Sequence, residues 1–150
     1  MEIKNKRVVV TGAASGIGKA LCEAFQKTEV QSIVCVDVNL DGAKETADSV
    51  GGIAVQANVG QEPDIISVIE QANSLSGGID IFCSNAGIGG VPGFFELETS
   101  DWQNIWEVNV QSHIFAAKHV LPQMLDRGEG YLMSTASAAG LLTQIGSAGY

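Results

Sequence analysis

The segment Thr11-Gly12-Ala13-Ala14-Ser15-Gly16-Ile17-Gly18 constrains this chain more than any other. A β-branched run from Arg7 to Thr11 leads into it, and Ile17, Ala20, Leu21, Ala24 and Phe25 follow at helical spacing. The segment is therefore read as a glycine-rich turn between a strand and a helix. At such a junction the first N–H groups of the helix have no intrahelical acceptor, and the helix dipole favours an anion, a phosphate above all. The generic dinucleotide spacing GxGxxG would need glycines at 12, 14 and 17, whereas here they fall at 12, 16 and 18. A merely structural turn is the competing reading. Asp37 adds weight to the phosphate reading, because it lies nineteen residues after Gly18 at the end of the second apolar run. An acid there can accept hydrogen bonds from a ribose 2′-hydroxyl; its alternatives are a solvated strand end or a cap on the next helix.

Beyond the turn, short β-branched runs alternate with longer helical periods, the pattern of βαβ units around a parallel sheet buried on both faces. Strands are expected at Arg7–Thr11, Ser32–Asp37, Ile53–Asn58, Ile79–Ser84 and Tyr131–Thr135. Ala43, Ala47 and Val50 suggest a short second helix. Ile65, Val68, Ile69, Ala72 and Leu75 make the stripe of a third, ended by Gly77 and Gly78. Ser100 and Gln103 suggest a capping box for a fourth helix, from about Trp102 to Asp126. Between Val108 and Leu125 that helix carries only one formal charge, Lys118. Its first stripe is Val110, Ile114, Ala117, Leu121 and Met124, and its opposite side holds Val108, Ser112, Phe115 and Ala116. Two apolar sides imply a second packing partner, so a homo-oligomer (dimer or tetramer) resting partly on Val108, Phe115 and Ala116 is expected. Pro122 should kink or break the helix.

Composition narrows the function. Eight Lys plus Arg against seventeen Asp plus Glu give a net charge of −9, which repels nucleic acids and anionic membranes. No stretch reaches the roughly 18 apolar residues of a membrane span. Cys22, Cys35 and Cys83 are odd in number and too far apart for a CxxC motif, which points to a reducing, cytoplasmic setting. The basic start and uncharged run from Val8 to Gly18 mimic a secretion signal, but Thr11, Ser15 and the glycines argue against one. His113 and His119 stand six residues apart and diverge by about 240° on a helix, so no metal is expected.

Taken together, TGAASGIG at 11–18, Asp37, SNAG at 84–87, Asn109, Ser137 and Tyr150 resemble the short-chain dehydrogenase/reductase family over the whole chain. The resemblance implies a Rossmann-type, doubly wound parallel α/β sheet of strand order 3-2-1-4-5, an NAD-binding domain over residues 1–150 with further C-terminal strands expected beyond it. It implies that Gly12, Ser15, Gly16, Ile17 and Gly18 hold the pyrophosphate and adjoining ribose. Asp37 would take the adenosine ribose and Asn58 and Val59 the adenine, while Asn85, Ala86 and Gly87 border the cofactor. The implied catalytic set is Asn109 for a proton-relay water, Ser137 for the substrate oxygen and Tyr150 as general acid or base.

Two residues depart from the family pattern: Ser84 and Asn58 stand where Asn and Asp are usual, and both still hydrogen-bond. The position at which the family carries a lysine, four residues after its tyrosine, falls past Tyr150. Residues 1–150 alone are accordingly expected to bind cofactor in part without turning over. The expected activity is hydride transfer between NAD(H) and a small secondary alcohol or ketone, with NAD preferred to NADP because Asp37 would repel a 2′-phosphate. A mainly apolar substrate pocket is expected from Val91, Phe94, Phe95, Ala138, Ala139, Leu141, Leu142 and Ile145. A non-catalytic NAD-binding sensor or scaffold, or an NAD-using epimerase or dehydratase, would share the same fold.

Overall fold

The computed structural model describes residues 2–89 and 95–141. Five parallel strands, β1 (Arg7–Thr11), β2 (Ser32–Asp37), β3 (Ile53–Gln56), β4 (Ile81–Ser84) and β5 (Tyr131–Ser134), form one sheet of order β3-β2-β1-β4-β5. Helices α1 (Gly16–Gln26), α2 (Leu40–Val50) and α3 (Glu62–Ser76) make the first crossovers. The last crossover is α4 (Thr99–Trp106), a π-helical segment (Glu107–Gln111) and α5 (Ser112–Arg127). This is the expected doubly wound Rossmann-type sheet.

The alternation of side chains along a strand divides the core into two layers. Val8, Val10, Ile33, Cys35, Ile81 and Cys83 cluster with Ala13, Cys22 of α1 and Ala47 of α2. Val9, Val34, Val36 and Phe82 cluster on the other face with α3 and α5, through Ile65, Val68, Ala116, Val120 and Met124. Burial on both faces is why the strands read as continuous apolar runs rather than alternating ones. At the N-terminal edge of the sheet, Arg7 donates from Nε (2.7 Å), Nη2 (2.6 Å) and its main-chain N–H (2.9 Å) to the carboxylate of buried Asp80. Arg127 Nη2 donates to the carbonyl of Ile79 and lies 3.7 Å from the same carboxylate.

Several local expectations are corrected. The third strand stops at Gln56 rather than Asn58, because Asn58 begins a turn. Its N–H donates to Asp64 (2.8 Å), and its side-chain oxygen accepts from the N–H of Gly60 (3.0 Å). The fourth helix begins at Thr99, and its capping box is Glu98 with Asp101 rather than Ser100 with Gln103. Pro122 does not end α5: both Pro122 and Lys118, whose carbonyl loses its partner, face solvent, so water replaces the missing bond. The departure from α geometry falls instead at Glu107–Gln111.

The two sides of this helix are in part exchanged, although Met124 of the first stripe is buried as expected. Val108, Ser112, Ala116, Val120 and Met124 are buried, and Phe115 packs against the same cluster. Ile114 and Leu121 of the stripe expected to face the core are exposed, together with Trp106 and Leu125. The small side chains of Ser112 and Ala116 allow close approach to the sheet, and the Ser112 hydroxyl is satisfied by donating to the Val108 carbonyl (2.6 Å). Of the three residues expected at a contact between copies, Val108 and Ala116 are thus taken up by the core, and Phe115 stays partly accessible.

Candidate active site

The C-terminal ends of β1, β2, β3 and β4 open into a cavity of about 620 Å³. All eleven residues expected to bind the cofactor line it: Gly12, Ser15, Gly16, Ile17, Gly18, Asp37, Asn58, Val59, Asn85, Ala86 and Gly87. Val38, Ala57, Ile88, Gly89, Asn104, Val108 and Thr135 complete the wall. None of these is expected from sequence to hold the cofactor, although Val38 reads as offering no cation to a 2′-phosphate and Val108 as an interface residue.

Glycine is required where the turn folds back upon itself. Gly12 has φ +71°, and a Cβ there would meet the Ala86 Cα at 2.9 Å. A Cβ on Gly18 would collide with the Gly12 carbonyl and approach Asn85 Nδ2 to 2.9 Å. The loop thus lies directly on the SNAG turn. Ser15 precedes α1 without using its side chain as a cap, and the first turn of α1 carries no acidic residue. Ser15, Gly16, Ile17 and Gly18, at the positive end of the helix dipole, line the cavity, a setting suited to a phosphate.

Asp37 is held by the backbone on both carboxylate oxygens: Oδ2 accepts from the Ala14 N–H (2.9 Å) and Oδ1 from the Asn39 N–H (2.9 Å). It therefore joins the phosphate loop to the start of α2, while each oxygen keeps capacity for a hydroxyl donor. Thr11 performs a similar joining task from beneath. Its hydroxyl donates to the Cys83 carbonyl (3.3 Å) and accepts from the N–H groups of Asn85 (2.9 Å) and Ala86 (3.1 Å).

Asn109 sits in the π-helical segment, and its carboxamide grips the backbone of Ile88 at two points. Its oxygen accepts from the Ile88 N–H (2.8 Å), and its Nδ2 donates to the Ile88 carbonyl (2.9 Å). A Cβ on Gly87 would approach the same oxygen to 3.4 Å. A π-helical turn inside an α-helix is a frequent mark of a functional position. Ser137 follows β5 two residues after the cavity-lining Thr135, does not itself line the cavity, and accepts from the Ala139 N–H (3.1 Å) at the start of a 3₁₀ turn. Tyr150 lies outside the described residues, as do Val91, Phe94, Leu142 and Ile145 of the expected substrate pocket.

Among the described residues, Asp37 is the one titratable side chain that lines the cavity, and Asp64 stands behind it on the Asn58 N–H. His119 Nε2 is 2.7 Å from Glu62, which also accepts from Lys118 (2.7 Å), and these hydrogen bonds hold the Glu62 carboxyl below its ordinary range. Burial lowers the His113 pKa, which favours the neutral ring. Among the described residues no group of three or more His, Cys, Asp or Glu is placed to hold a metal ion.

Comparison with known proteins agrees with this geometry. The family described as short chain dehydrogenase matches residues 6–150. The chain belongs to the short-chain dehydrogenase/reductase family. It is 33% identical over 155 residues to the cyclohexanol dehydrogenase of Acinetobacter sp. (strain SE19), covering 99% of this chain and 61% of that protein. It is 31% identical over 144 residues to the 7alpha-hydroxysteroid dehydrogenase of Escherichia coli (strain K12), covering 93% of this chain and 56% of that one. A short chain dehydrogenase/reductase from Burkholderia phymatum, solved in complex with NAD, superposes with a TM-score of 0.95 at 28% identity, covering 100% of this chain and 55% of that chain. The chain thus spans between a half and two thirds of the length of these relatives.

Proposed function

We propose that this protein is an NAD-dependent oxidoreductase of small secondary alcohols or ketones, with residues 1–150 forming its dinucleotide-binding domain. The observation that carries the reading is the single cavity in which the glycine turn, Asp37 and the SNAG turn converge. Donors at the start of α1 match a pyrophosphate, and the backbone-held carboxylate of Asp37 matches a ribose diol. The same carboxylate disfavours a 2′-phosphate, and the neighbouring Val38 offers no cation, so NAD is preferred to NADP. Asn58 and Val59 border the adenine, and Asn85, Ala86 and Gly87 the remainder of the dinucleotide. When bound, NAD supplies the nicotinamide that exchanges a hydride with substrate.

In this reading Ser137 hydrogen-bonds the substrate oxygen as charge develops on it, and Tyr150 exchanges the hydroxyl proton. Asn109 holds a proton-relay water in this reading; each end of its carboxamide bonds Ile88 and keeps one further lone pair or N–H. Relatives of similar identity are named for cyclohexanol, a hydroxysteroid and glucose, and the uncharged run from Ala138 to Leu142 favours an apolar substrate among these. We place the protein in the cytoplasm, where three buried free thiols remain reduced, and expect a homo-oligomer that covers the exposed apolar side of α5 around Ile114. The described residues contain no helix long and apolar enough to cross a membrane.

The test is a panel of alcohols assayed with the full-length protein by NADH absorbance, beside competition binding of NAD and NADP. NADH formation with an apolar secondary alcohol and tighter NAD binding are expected. Equal or better NADP binding refutes the cofactor preference, and NAD binding without turnover on any alcohol favours a scaffold. Sedimentation of the Ile114→Glu variant should shift toward monomer; an unchanged assembly refutes the interface.

A further inference from the structure

We infer that Thr135 is a positioning residue that couples the floor of the cofactor cavity to the segment carrying Ser137, an inference that rests on the oxidoreductase reading above. Thr135 extends the β5 ladder by one bond, its N–H donating to the Ser84 carbonyl (3.0 Å). Its hydroxyl donates to Asn85 Oδ1 (2.8 Å). Asn85 Nδ2 in turn donates to the main-chain carbonyl of Thr11 (3.0 Å), and the Asn85 N–H donates to the Thr11 hydroxyl (2.9 Å). One hydrogen-bonded line therefore crosses the C-terminal ends of β5, β4 and β1.

The position of the Asn85 carboxamide gives this line its consequence. Its nitrogen lies where a Cβ on either Gly12 or Gly18 would approach it, at 3.1 and 2.9 Å, so the phosphate loop rests on the group that Thr135 orients. The Thr11 carbonyl, which can only accept, fixes Nδ2 of that carboxamide toward β1, and this leaves Oδ1 toward β5 as the acceptor that commits the Thr135 hydroxyl to donating. With its proton committed to Asn85, Thr135 has none to give a ligand. It lines the cavity but acts through its neighbours, and Ser137 follows two residues later on the same segment. A single hydroxyl thereby sets the substrate-oxygen contact relative to the surface on which the cofactor lies. Orientation of this kind affects turnover more than substrate binding.

Thr135→Val removes the hydroxyl at nearly constant shape, and Thr135→Ser keeps it while removing the methyl; Thr135→Ala serves if the valine variant does not fold. In the full-length protein Thr135→Val should lower kcat about tenfold, equivalent to about 1.4 kcal/mol. The substrate KM should change less than threefold, and Thr135→Ser should keep kcat within about twofold of wild type. In the Ser137→Ala background the valine substitution should add less than twofold, since the two groups act as a unit. Without substrate, the Asn85 side-chain amide protons should exchange faster in Thr135→Val and recover in Thr135→Ser. Unchanged kcat or Asn85 amide exchange in Thr135→Val, or a full additional loss in the Ser137→Ala background, overturns the coupling. A wild-type protein that binds NAD and turns over while Thr135→Val behaves like it defeats this inference alone. A wild-type protein that fails to bind NAD defeats the oxidoreductase reading, and the coupling falls with it.

Discussion

Replacing Asn109 by alanine tests whether its side chain serves as a clamp. The substitution leaves the Ile88 N–H and carbonyl without the partners they have at 2.8 and 2.9 Å. Each lost bond between neutral groups nets about 1 kcal/mol, rising to about 3 kcal/mol where water cannot replace it. Ile88 is half-buried, so the lower end applies and the pair should cost about 2 kcal/mol. With a urea slope near 2 kcal/mol per molar, the unfolding midpoint of the full-length protein should fall by about 1 M without change of slope. Because Gly87 and Ile88 line the cofactor cavity, NAD affinity measured by calorimetry should fall as well. Asn109→Asp is the informative control. It keeps an acceptor for the Ile88 N–H but sets a carboxylate oxygen against the Ile88 carbonyl, so it should be less stable than Asn109→Ala at neutral pH. That repulsion raises the folded-state pKa of the introduced carboxyl, so stability should recover as pH falls through that value. An Asn109→Ala variant within 0.5 kcal/mol of wild type, on the usual scale of a neutral surface substitution, refutes the clamp.

Asp80→Ala should cost about 2–3 kcal/mol at pH 7, the usual scale for hydrogen bonds to a charged group whose remaining partner, the partly exposed Arg7, can reach water, measured by urea unfolding. The hydrogen bond from Arg7 holds the Asp80 carboxyl below its ordinary range, so the stabilisation is full above about pH 4 and is lost as pH falls through the depressed value. The gap between wild type and Asp80→Ala should narrow on acidification; a constant gap contradicts the assignment. Gly18→Ala forces the phosphate loop off the Gly12 carbonyl and should weaken NAD binding at least tenfold, about 1.4 kcal/mol, by calorimetry. Cys22, Cys35 and Cys83 are fully buried, and burial pushes Cys83 up to about 12, so in native protein these three thiols should not react with an alkylating reagent at pH 8, read by peptide mass spectrometry, until guanidinium exposes them.

The sheet was legible because Val8, Val9 and Val10 must be buried on both faces, which leaves an uninterrupted apolar run, and because the α3 stripe keeps one helical period throughout. The phosphate loop was legible because its steric demands are local: Gly12 and Gly18 restrict each other within six residues. Asp37 was legible from its place at a strand end, although its bonds to Ala14 and Asn39 were not. The inward side of α5 was misread because hydrophobic strength favours Ile114 and Leu121, whereas close approach to a sheet favours Ser112 and Ala116. The capping box was misplaced because Glu98 is an uncommon cap, and its advantage depends on where the preceding loop delivers the chain. The roles of Asn109 and Thr135 depend on partners 21 and 50 residues distant, which no short motif encodes.

The π-helical segment also determines how this region tolerates insertion and deletion. Five residues there make room for one more than an α-helix would hold, so the segment functions as a phase shift written into an otherwise continuous helix. Because the wide turn takes up one extra residue locally, deleting a residue there would restore regular α geometry with the flanking helices in nearly the same relative rotation, each α-helical residue advancing about 100°. Val120 and Met124 would keep their side against the sheet and Ile105 its buried place. What would be lost is the offset of side chains within the turn itself, and with it the reach of Asn109 to Ile88. Length, as much as residue identity, is therefore under constraint between Trp106 and Ser112.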